Sequence, residues 1–226
     1  MSEYRKELKY FLRNTDMGQI KTNLNYIMKI DNNCKNGKYT ISSIYLETYN
    51  DTSYNQVING LSERWKYRIR FYDYNDKFIK LEKKYKVNNL TKKSAIKLSK
   101  DDFERIMNNT LKVKKSNPEL LNEIAIKMKT ELLRPAILIE YDRIPYTYKA
   151  GNVRITIDYN IRYSRNYNKA FEQENKKHYL KYKILEVKYD EFIPDFIRYK
   201  IEVNHLEQTA FSKYFMCMSE LKMRGE

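Results

Sequence analysis

The sequence has few of the residues that mark linkers, metal sites and disulfide-rich folds. Its 226 residues include 5 glycines, 4 prolines, 2 cysteines and 2 histidines. So little glycine and proline leaves little room for disordered linkers. Cys34 and Cys217 form no CxxC pair and have no metal-ligand spacing. Two free thiols in a reducing compartment are favoured, and a disulfide between them stays open as the alternative.

Long apolar runs are also missing. None approaches the roughly 20 residues of a transmembrane helix, and the N-terminal MSEYRKELKY contains no apolar signal-peptide core. Neither His178 nor His205 lies in a motif, and the tyrosines form no RNP-type RNA-binding signature. We therefore expect a soluble, cytoplasmic protein that does not bind nucleic acid.

Positive charge and tyrosine are abundant. The formal net charge is +15, which favours polyanionic partners such as nucleic acid, an anionic membrane or phosphorylated small molecules. Net charge alone is weak evidence, because the many Lys, Asn, Ile and Tyr residues also fit an A+T-rich codon bias. The 22 tyrosines favour strands. We predict one compact α+β domain over residues 1–226.

The distribution of the charges is more informative than their number. Several predicted strands have one face of charged residues, with Thr156 among them in one strand, and an opposite face of Tyr, Ile, Leu, Val or Phe, since residues two apart point to the same side of a strand. These strands contain RKELKY, KYRIR, LEKKYK, VRITID and ILEVKY. Their charged faces hold mostly Arg and Lys with a few carboxylates, which suits a polyphosphate and its metal ion.

Periodicity and turn residues predict about eight strands interleaved with helices. The predicted strands cover residues 4–12, 39–48, 64–74, 77–87, 92–99, 136–146, 152–163 and 182–190. Helices are expected after Asp16, around 54–61, over 99–107 and 117–132, from Pro194 and from Phe211. YNDK at 74–77 is the expected hairpin turn.

Charged faces on so many strands allow two architectures. In a sandwich, these faces would be solvated and the apolar faces would form the core. In a barrel, they would line a wet interior while helices cover the apolar outside. The barrel is favoured, because the same Arg/Lys-with-Glu pattern recurs in five strands.

The motifs RKELKY, SIYLET, RWKYRIRFY, LEKKYK, RPAILIEYDRIPY, VRITIDYNI, ILEVKYDEFIP and SKY, in this order, resemble the VTC domain. That family is the polyphosphate polymerase domain of the triphosphate tunnel metalloenzyme (CYTH-like) superfamily. The resemblance implies an eight-stranded antiparallel β-barrel with helices outside and a lumen that binds triphosphate and metal. It also implies transfer of the ATP γ-phosphate to a growing polyphosphate chain.

The resemblance assigns a role to each matching residue. The implied phosphate-binding residues are Lys9, Arg68, Arg70, Lys84, Lys93, Arg143, Arg154, Lys188 and Lys213. Within this set, the implied catalytic residues are Arg68, Arg70, Lys84, Arg154 and Lys188. Glu186 matches the carboxylate that binds Mn²⁺ or Mg²⁺, and Glu7 and Glu82 occupy matching strand positions that would help to hold the metal.

Three positions need tertiary information. Lys93 stands in KKSAIKL, where the family commonly has Lys-x-Arg and this chain has Ala95. Arg143 shares a strand face with Ile139 and Tyr141, so its inward direction is expected to need a twist or bulge near Pro145. Asp158 fits either a metal ligand or an ion-pair partner of a tunnel arginine.

Three functions are open at this point. A polyphosphate polymerase using ATP leads, and a metal-dependent hydrolase of tripolyphosphate or nucleoside triphosphates is second. A non-catalytic polyphosphate or polyanion binder is third. The chain resembles the stand-alone bacterial form of the family, without the N-terminal phosphate-sensing domain and membrane helices of eukaryotic relatives. A membrane protein that accepts the product would be a further partner.

Overall fold

The protein is described here from a computed structural model. The described residues are 6–32, 34, 36–88, 90–173, 177–201 and 206–225. Tyr4, where the first strand was predicted to begin, Arg5 and His205 lie outside them. Both cysteines are free thiols, as predicted. Within the described residues, no helix has the length and apolar character needed to cross a membrane.

The chain divides into two compact units. Unit 1 comprises Met1–Thr40, Tyr141–Ile161 and Tyr179–Ser212. Unit 2 comprises Ile41–Glu140, Arg162–His178 and Lys213–Glu226. Four strands contribute residues to both units. The single domain expected over residues 1–226 stays a prediction.

The described residues form six α-helices and ten strands. The helices are α1 Asn14–Ile27, α2 Thr52–Ile58, α3 Lys100–Met107, α4 Glu119–Thr130, α5 Asp195–Ile201 and α6 Lys213–Met223. The strands are β1 Lys6–Leu12, β2 Lys29–Ile30, β3 Tyr39–Glu47, β4 Glu63–Tyr72, β5 Asn75–Val87, β6 Leu90–Leu98, β7 Arg134–Tyr148, β8 Val153–Ser164, β9 His178–Tyr179 and β10 Lys183–Tyr189.

All eight predicted strands are present. The two that the sequence did not predict, β2 and β9, have two residues each, which is too short to produce an alternating pattern. The β4–β5 hairpin turns at Asp73 and Tyr74, not at 74–77. Both residues have positive φ, 48° and 57°, as a two-residue hairpin turn requires. Neither is glycine, so the usual sequence signal was missing.

Unit 1 contains an antiparallel array in the order β1-β10-β8-β7. Its apolar side packs against α1 and α5. Ile20 and Leu24 of α1 and Ile197 of α5 are fully buried in one cluster with strand residues that share that side. The strand residues include Ile155, Ile157, Leu185 and Val187. The charged residues of these strands alternate with them and therefore lie on the opposite side.

Unit 2 contains the order β7-β3-β4-β5-β6. Helices α3 and α4 cover its apolar side, where Ile106 and Ile124 are fully buried against strand residues. These strand residues include Ile44, Tyr67, Ile69, Phe71, Ile79 and Leu81. Helix α3 begins as predicted, because the Ser99 hydroxyl accepts a hydrogen bond from the backbone N–H of Asp102. In both units, the helices pack on the apolar faces of the strands and not on the charged faces. This arrangement was expected for the barrel architecture.

Candidate phosphate-binding site

In unit 2, one carboxylate gathers three cations. Arg68 approaches Oε2 of Glu82 through Nε at 2.7 Å and Nη2 at 2.6 Å. Lys93 Nζ donates to Oε1 at 2.5 Å, and Arg70 Nη1 lies 3.8 Å from Oε2. We call Arg68, Arg70, Glu82 and Lys93 the Glu82 cluster. It carries three positive charges for one negative charge, so it favours an anionic ligand.

The strand register explains this convergence. Arg68 of β4 lies directly opposite Glu82 of β5, and Lys93 of β6 lies opposite Lys84 of β5. Lys84 is two residues from Glu82 on the same face and is exposed. The structure therefore brings Lys93 to the arginines even though Ala95 stands in place of the family's arginine.

Burial and charge act in opposite directions on Glu82, whose side chain is 3% exposed. Burial alone would raise its pKa, but Arg68, Arg70 and Lys93 lower the pKa to about 2. Glu82 is therefore ionised at neutral pH. Burial lowers the pKa of Lys93, and its ion pair with Glu82 opposes that change.

Strand β3 supports both arginines with side chains that the sequence analysis did not select. Arg70 Nε donates to Ser43 Oγ at 3.2 Å, and Arg68 Nη1 donates to the Tyr45 hydroxyl at 3.2 Å. Ser43 and Tyr45 lie opposite Arg70 and Arg68 in the register. Their i, i+2 spacing in SIYLET is the signal that could have identified them.

Helix α6 is tied to the same face of unit 2. The buried hydroxyl of Tyr214 donates to Glu47, and the Tyr214 and Tyr45 rings lie 4.9 Å apart. Lys66 Nζ, two residues before Arg68, lies 4.8 Å from the centre of the Tyr214 ring. Lys213, the first residue of α6, directly precedes Tyr214 in this helix.

In unit 1, Arg143 is the centre of a second charged group. Its Nε and Nη2 donate to Oδ1 and Oδ2 of Asp158 at 2.6 and 2.7 Å. Its Nη2 also lies 3.5 Å from Oε2 of Glu186. Burial alone would lower the pKa of Arg143, but Asp158, Tyr141 and Glu186 raise it well above its ordinary value. Of the two roles considered for Asp158, the structure shows the ion pair.

Arg143 reaches this position without a bulge. Tyr141, on the same face, has its ring centre 5.3 Å from the guanidinium carbon of Arg143. Ile144 and Tyr146, on the two sides of Pro145 in the chain, both point to the opposite face and are buried in the helix-covered core. Alternation therefore continues through Pro145, and the expected twist or bulge is not needed.

Two carboxylates, Glu186 and Glu7, converge on one ammonium group in unit 1. Lys188 Nζ contacts Glu186, and it lies 3.7 Å from Oε2 of Glu7. Lys9 Nζ lies 2.8 Å from Oε1 of Glu7 and donates to the Phe211 carbonyl at 3.3 Å. We call Arg143, Asp158, Glu186, Lys188 and Glu7 the Arg143 cluster.

Arg154 lies on the same strand face as Asp158 and is opposite Lys188 in the register. Its Nη2 lies 3.1 Å from Asp31 Oδ2 and donates to the Tyr39 hydroxyl at 3.2 Å. Its side chain is 36% exposed, so it is accessible to a ligand. Sequence analysis missed Asp31 and Tyr39, because neither lies near Arg154 in the chain.

The fit to a divalent metal differs among the three predicted ligands. Glu7 and Glu186 both contact the Lys188 ammonium, so two carboxylates already surround one cation position, and oxygen donors suit Mn²⁺ or Mg²⁺. Glu82 belongs to the other unit, and its oxygens are bound by Arg68 and Lys93. Among the described residues, no group of three or more His, Cys, Asp or Glu side chains has the arrangement of a metal site.

Solved structures share the fold of this chain. HpAC1 from Hippeastrum, an adenylyl cyclase candidate described as having a dominant triphosphatase activity, is 11% identical, with a TM-score of 0.59 over 96% of each chain. An adenylate cyclase candidate from Bacillus halodurans is 13% identical, with a TM-score of 0.52 over 82% of this chain and 80% of that one. PH1819 from Pyrococcus horikoshii is 14% identical, with a TM-score of 0.50 over 96% of this chain and 99% of that one. No curated protein shows a significant match.

Each unit carries a cation-rich strand face that suits an anionic ligand, and the solved structures share the fold of the chain. The predicted α+β fold class, with an eight-stranded antiparallel sheet and helices packed outside, is confirmed. The model of the VTC domain matches residues 4–222. The chain therefore belongs to the VTC domain family, which confirms the resemblance drawn from the motifs.

Proposed function

We propose that this protein is a polyphosphate polymerase that transfers the γ-phosphate of ATP to a polyphosphate chain. The observation that carries the proposal is the Glu82 cluster, in which three cations from β4 and β6 share one buried carboxylate. A solubilising surface would not bury a carboxylate to hold arginines in place. A phosphate chain carries about one negative charge per phosphorus, so it needs several cations in series.

Phosphoryl transfer depends mainly on positioning and charge neutralisation. Arg68 and Arg70 are two residues apart on one strand, a separation of roughly 6.8 Å that suits successive phosphates. Their guanidinium groups are held by Glu82, Tyr45 and Ser43 before a ligand arrives, so little reorganisation accompanies binding. Arg, with its planar fork, can make bidentate contacts to phosphate oxygens, while Lys84 and Lys93 act as point charges.

Glu186 and Glu7 are the residues that would hold a divalent metal, with Lys188 released to contact phosphate. The metal would neutralise charge on the phosphate oxygens of the transferred group. We assign Glu82 to holding the arginines instead of the metal, because its oxygens bind Arg68 and Lys93. No histidine is required, since the terminal phosphate of the polymer is the acceptor.

A triphosphate hydrolase is the second candidate. The observation that favours it is the pair of carboxylates around the Lys188 ammonium, which could also position a water molecule at a terminal phosphate. The described triphosphatase activity of HpAC1, which shares the fold, points in the same direction. A polymerase and a hydrolase would use the same cations and differ in the acceptor, a phosphate chain or water.

One assay separates the candidates. The purified protein is incubated with ATP and Mn²⁺, the products are separated on a gel stained for polyphosphate, and ADP and free phosphate are measured. A polymer ladder with ADP supports the polymerase. Phosphate release without polymer means a hydrolase, and binding of tripolyphosphate without turnover means a polyanion binder. The Arg70→Ala protein is the control, and it should lose whichever activity the wild type has.

A further inference from the structure

Thr156 lies at the centre of the charged face of β8. Arg154 and Asp158 are two residues before and after it, so all three side chains share that face. Across the strand pair, Thr156 is directly opposite Glu186 of β10. Neither the motifs nor the family resemblance gave Thr156 a role.

The hydroxyl of Thr156 is buried and has no hydrogen-bond partner among the described residues. The residue is 4% exposed. A buried hydroxyl without a partner is destabilising, and most buried polar atoms in native proteins are satisfied. An orphan hydroxyl within a charged cluster therefore indicates a group that is bound only when the ligand is present.

The surrounding groups already have partners. Arg143 binds Asp158, which is two residues after Thr156 on β8, and Glu186, which is opposite Thr156 on β10. Glu186 also contacts Lys188, and Arg154 binds Asp31 and Tyr39. The charged side chains near Thr156 therefore neutralise one another, while its hydroxyl has no hydrogen-bond partner among the described residues.

We propose that Thr156 is a phosphate-binding residue whose hydroxyl donates a hydrogen bond to a non-bridging oxygen of the phosphate held by Arg143 and Arg154. This inference rests on the proposed function and extends its site. A phosphate oxygen accepts several hydrogen bonds, so it can bind both guanidinium groups and the hydroxyl. The phosphate would replace the contact between Arg143 and Glu186. At 3.5 Å this contact is longer than the two hydrogen bonds from Arg143 to Asp158, at 2.6 and 2.7 Å.

An uncharged donor has a specific use at this position. Asp158 and Glu186 on either side of Thr156 repel a phosphate, and a further cation would pair with them instead of the ligand. A hydroxyl adds a hydrogen bond to the phosphate without adding a competing ion pair.

The test compares Thr156→Val, Thr156→Ser and the control Thr22→Val, which alters an exposed threonine on α1. Tripolyphosphate binding is measured by calorimetry in EDTA, where no metal-dependent turnover occurs, and thermal midpoints are measured on the ligand-free proteins. Thr156→Val is expected to weaken binding about tenfold, in keeping with one hydrogen bond to a charged group. Its thermal midpoint should equal or exceed that of the wild type, because an unsatisfied hydroxyl has been removed. Thr156→Ser and Thr22→Val should bind as the wild type does.

Each contrary result has a distinct meaning. If the wild type itself does not bind tripolyphosphate, both the proposed function and this inference are overturned. If the wild type binds and Thr156→Val binds equally well, this inference alone is wrong. If Thr156→Ser is as weak as Thr156→Val, the hydroxyl is not the contact and the inference is also wrong.

Discussion

Arg68 binds Glu82 through both Nε and Nη2, at 2.7 and 2.6 Å, and both contacts are to the same oxygen, Oε2. The other oxygen, Oε1, is left for Lys93, at 2.5 Å. One carboxylate on β5 therefore connects a cation on β4 with a cation on β6. Because Glu82 fixes both neighbours, its loss should affect stability as well as ligand binding.

We predict that Glu82→Gln lowers the free energy of unfolding by about 2 kcal/mol. Removing one partner of a buried pair typically costs about 3–5 kcal/mol, and the half-exposed Lys93 reduces that value, since water screens it. Tripolyphosphate should raise the thermal midpoint of Glu82→Gln less than that of the wild type, because Arg68 and Lys93 are no longer held in place for the phosphate. Glu172→Gln, at an exposed position, is the control. An equal effect of ligand on wild type and Glu82→Gln would contradict this role.

The contribution of Glu82 to stability should depend on pH in the acid range. Its pKa falls from the ordinary value of 4.5 to about 2 in the folded protein, so the folded state favours the ionised form. The stabilisation is complete above about pH 4.5 and is lost as pH falls towards 2. Urea denaturation of wild type and Glu82→Gln at several pH values should therefore give a difference that shrinks below pH 4.5. A constant difference from pH 6 to pH 2.5 would show that Glu82 is not the titrating group.

Asp158→Asn should destabilise the protein by about 3 kcal/mol. Asp158 is fully buried, and the substitution leaves the Arg143 guanidinium without its ionised partner. Chemical denaturation measures the change, and Asp195→Asn, at an exposed position on α5, is the matched control. A loss below 1 kcal/mol would mean that Glu186 and Tyr141 are sufficient partners for Arg143.

Glu186→Gln should lower ATP turnover at least a hundredfold while leaving the fold intact, because one of the two carboxylates assigned to the metal is lost. The rate should also become less sensitive to the Mn²⁺ concentration, which a titration with fixed ATP would reveal. Glu104→Gln on α3, exposed and outside both clusters, should retain the full rate. Wild-type turnover by Glu186→Gln would remove this residue from the proposed metal site.

Much of the fold could be predicted because its signals are local. Alternation along RIR and LEKK identifies the face that carries Arg68, Arg70 and Glu82, and the serine before α3 marks the helix start. Prediction from the sequence failed for elements of only two residues, which are too short to show a periodic pattern. These are strand β2 and the turn at Asp73 and Tyr74. There the backbone conformation is imposed by the strands on either side, so residue preference carries little information.

The candidate site shows the same limit. Motif order selected the candidate cations and Glu186, whose roles stay predictions, and it gave Glu82 a metal-binding role that its contacts with Arg68 and Lys93 do not favour. The partners Asp31, Tyr39, Ser43 and Tyr45 are separated in sequence from the arginines that they hold. Which of these residues contacts an arginine depends on the register between neighbouring strands, and the sequence of one strand does not specify that register.

The sequence by itself therefore determined the strands, their charged faces and the family, and it selected the cations that we propose for phosphate binding, because each depends on spacing within a short segment. Tertiary structure decided which charges neutralise one another, that Arg143 faces Asp158 without a bulge, and that the Thr156 hydroxyl is buried without a partner in the part of the chain that the structure describes. Those relationships arise from register between strands distant in the chain. An ion pair or an orphan hydroxyl depends on distances of a few ångströms, which only the folded chain defines.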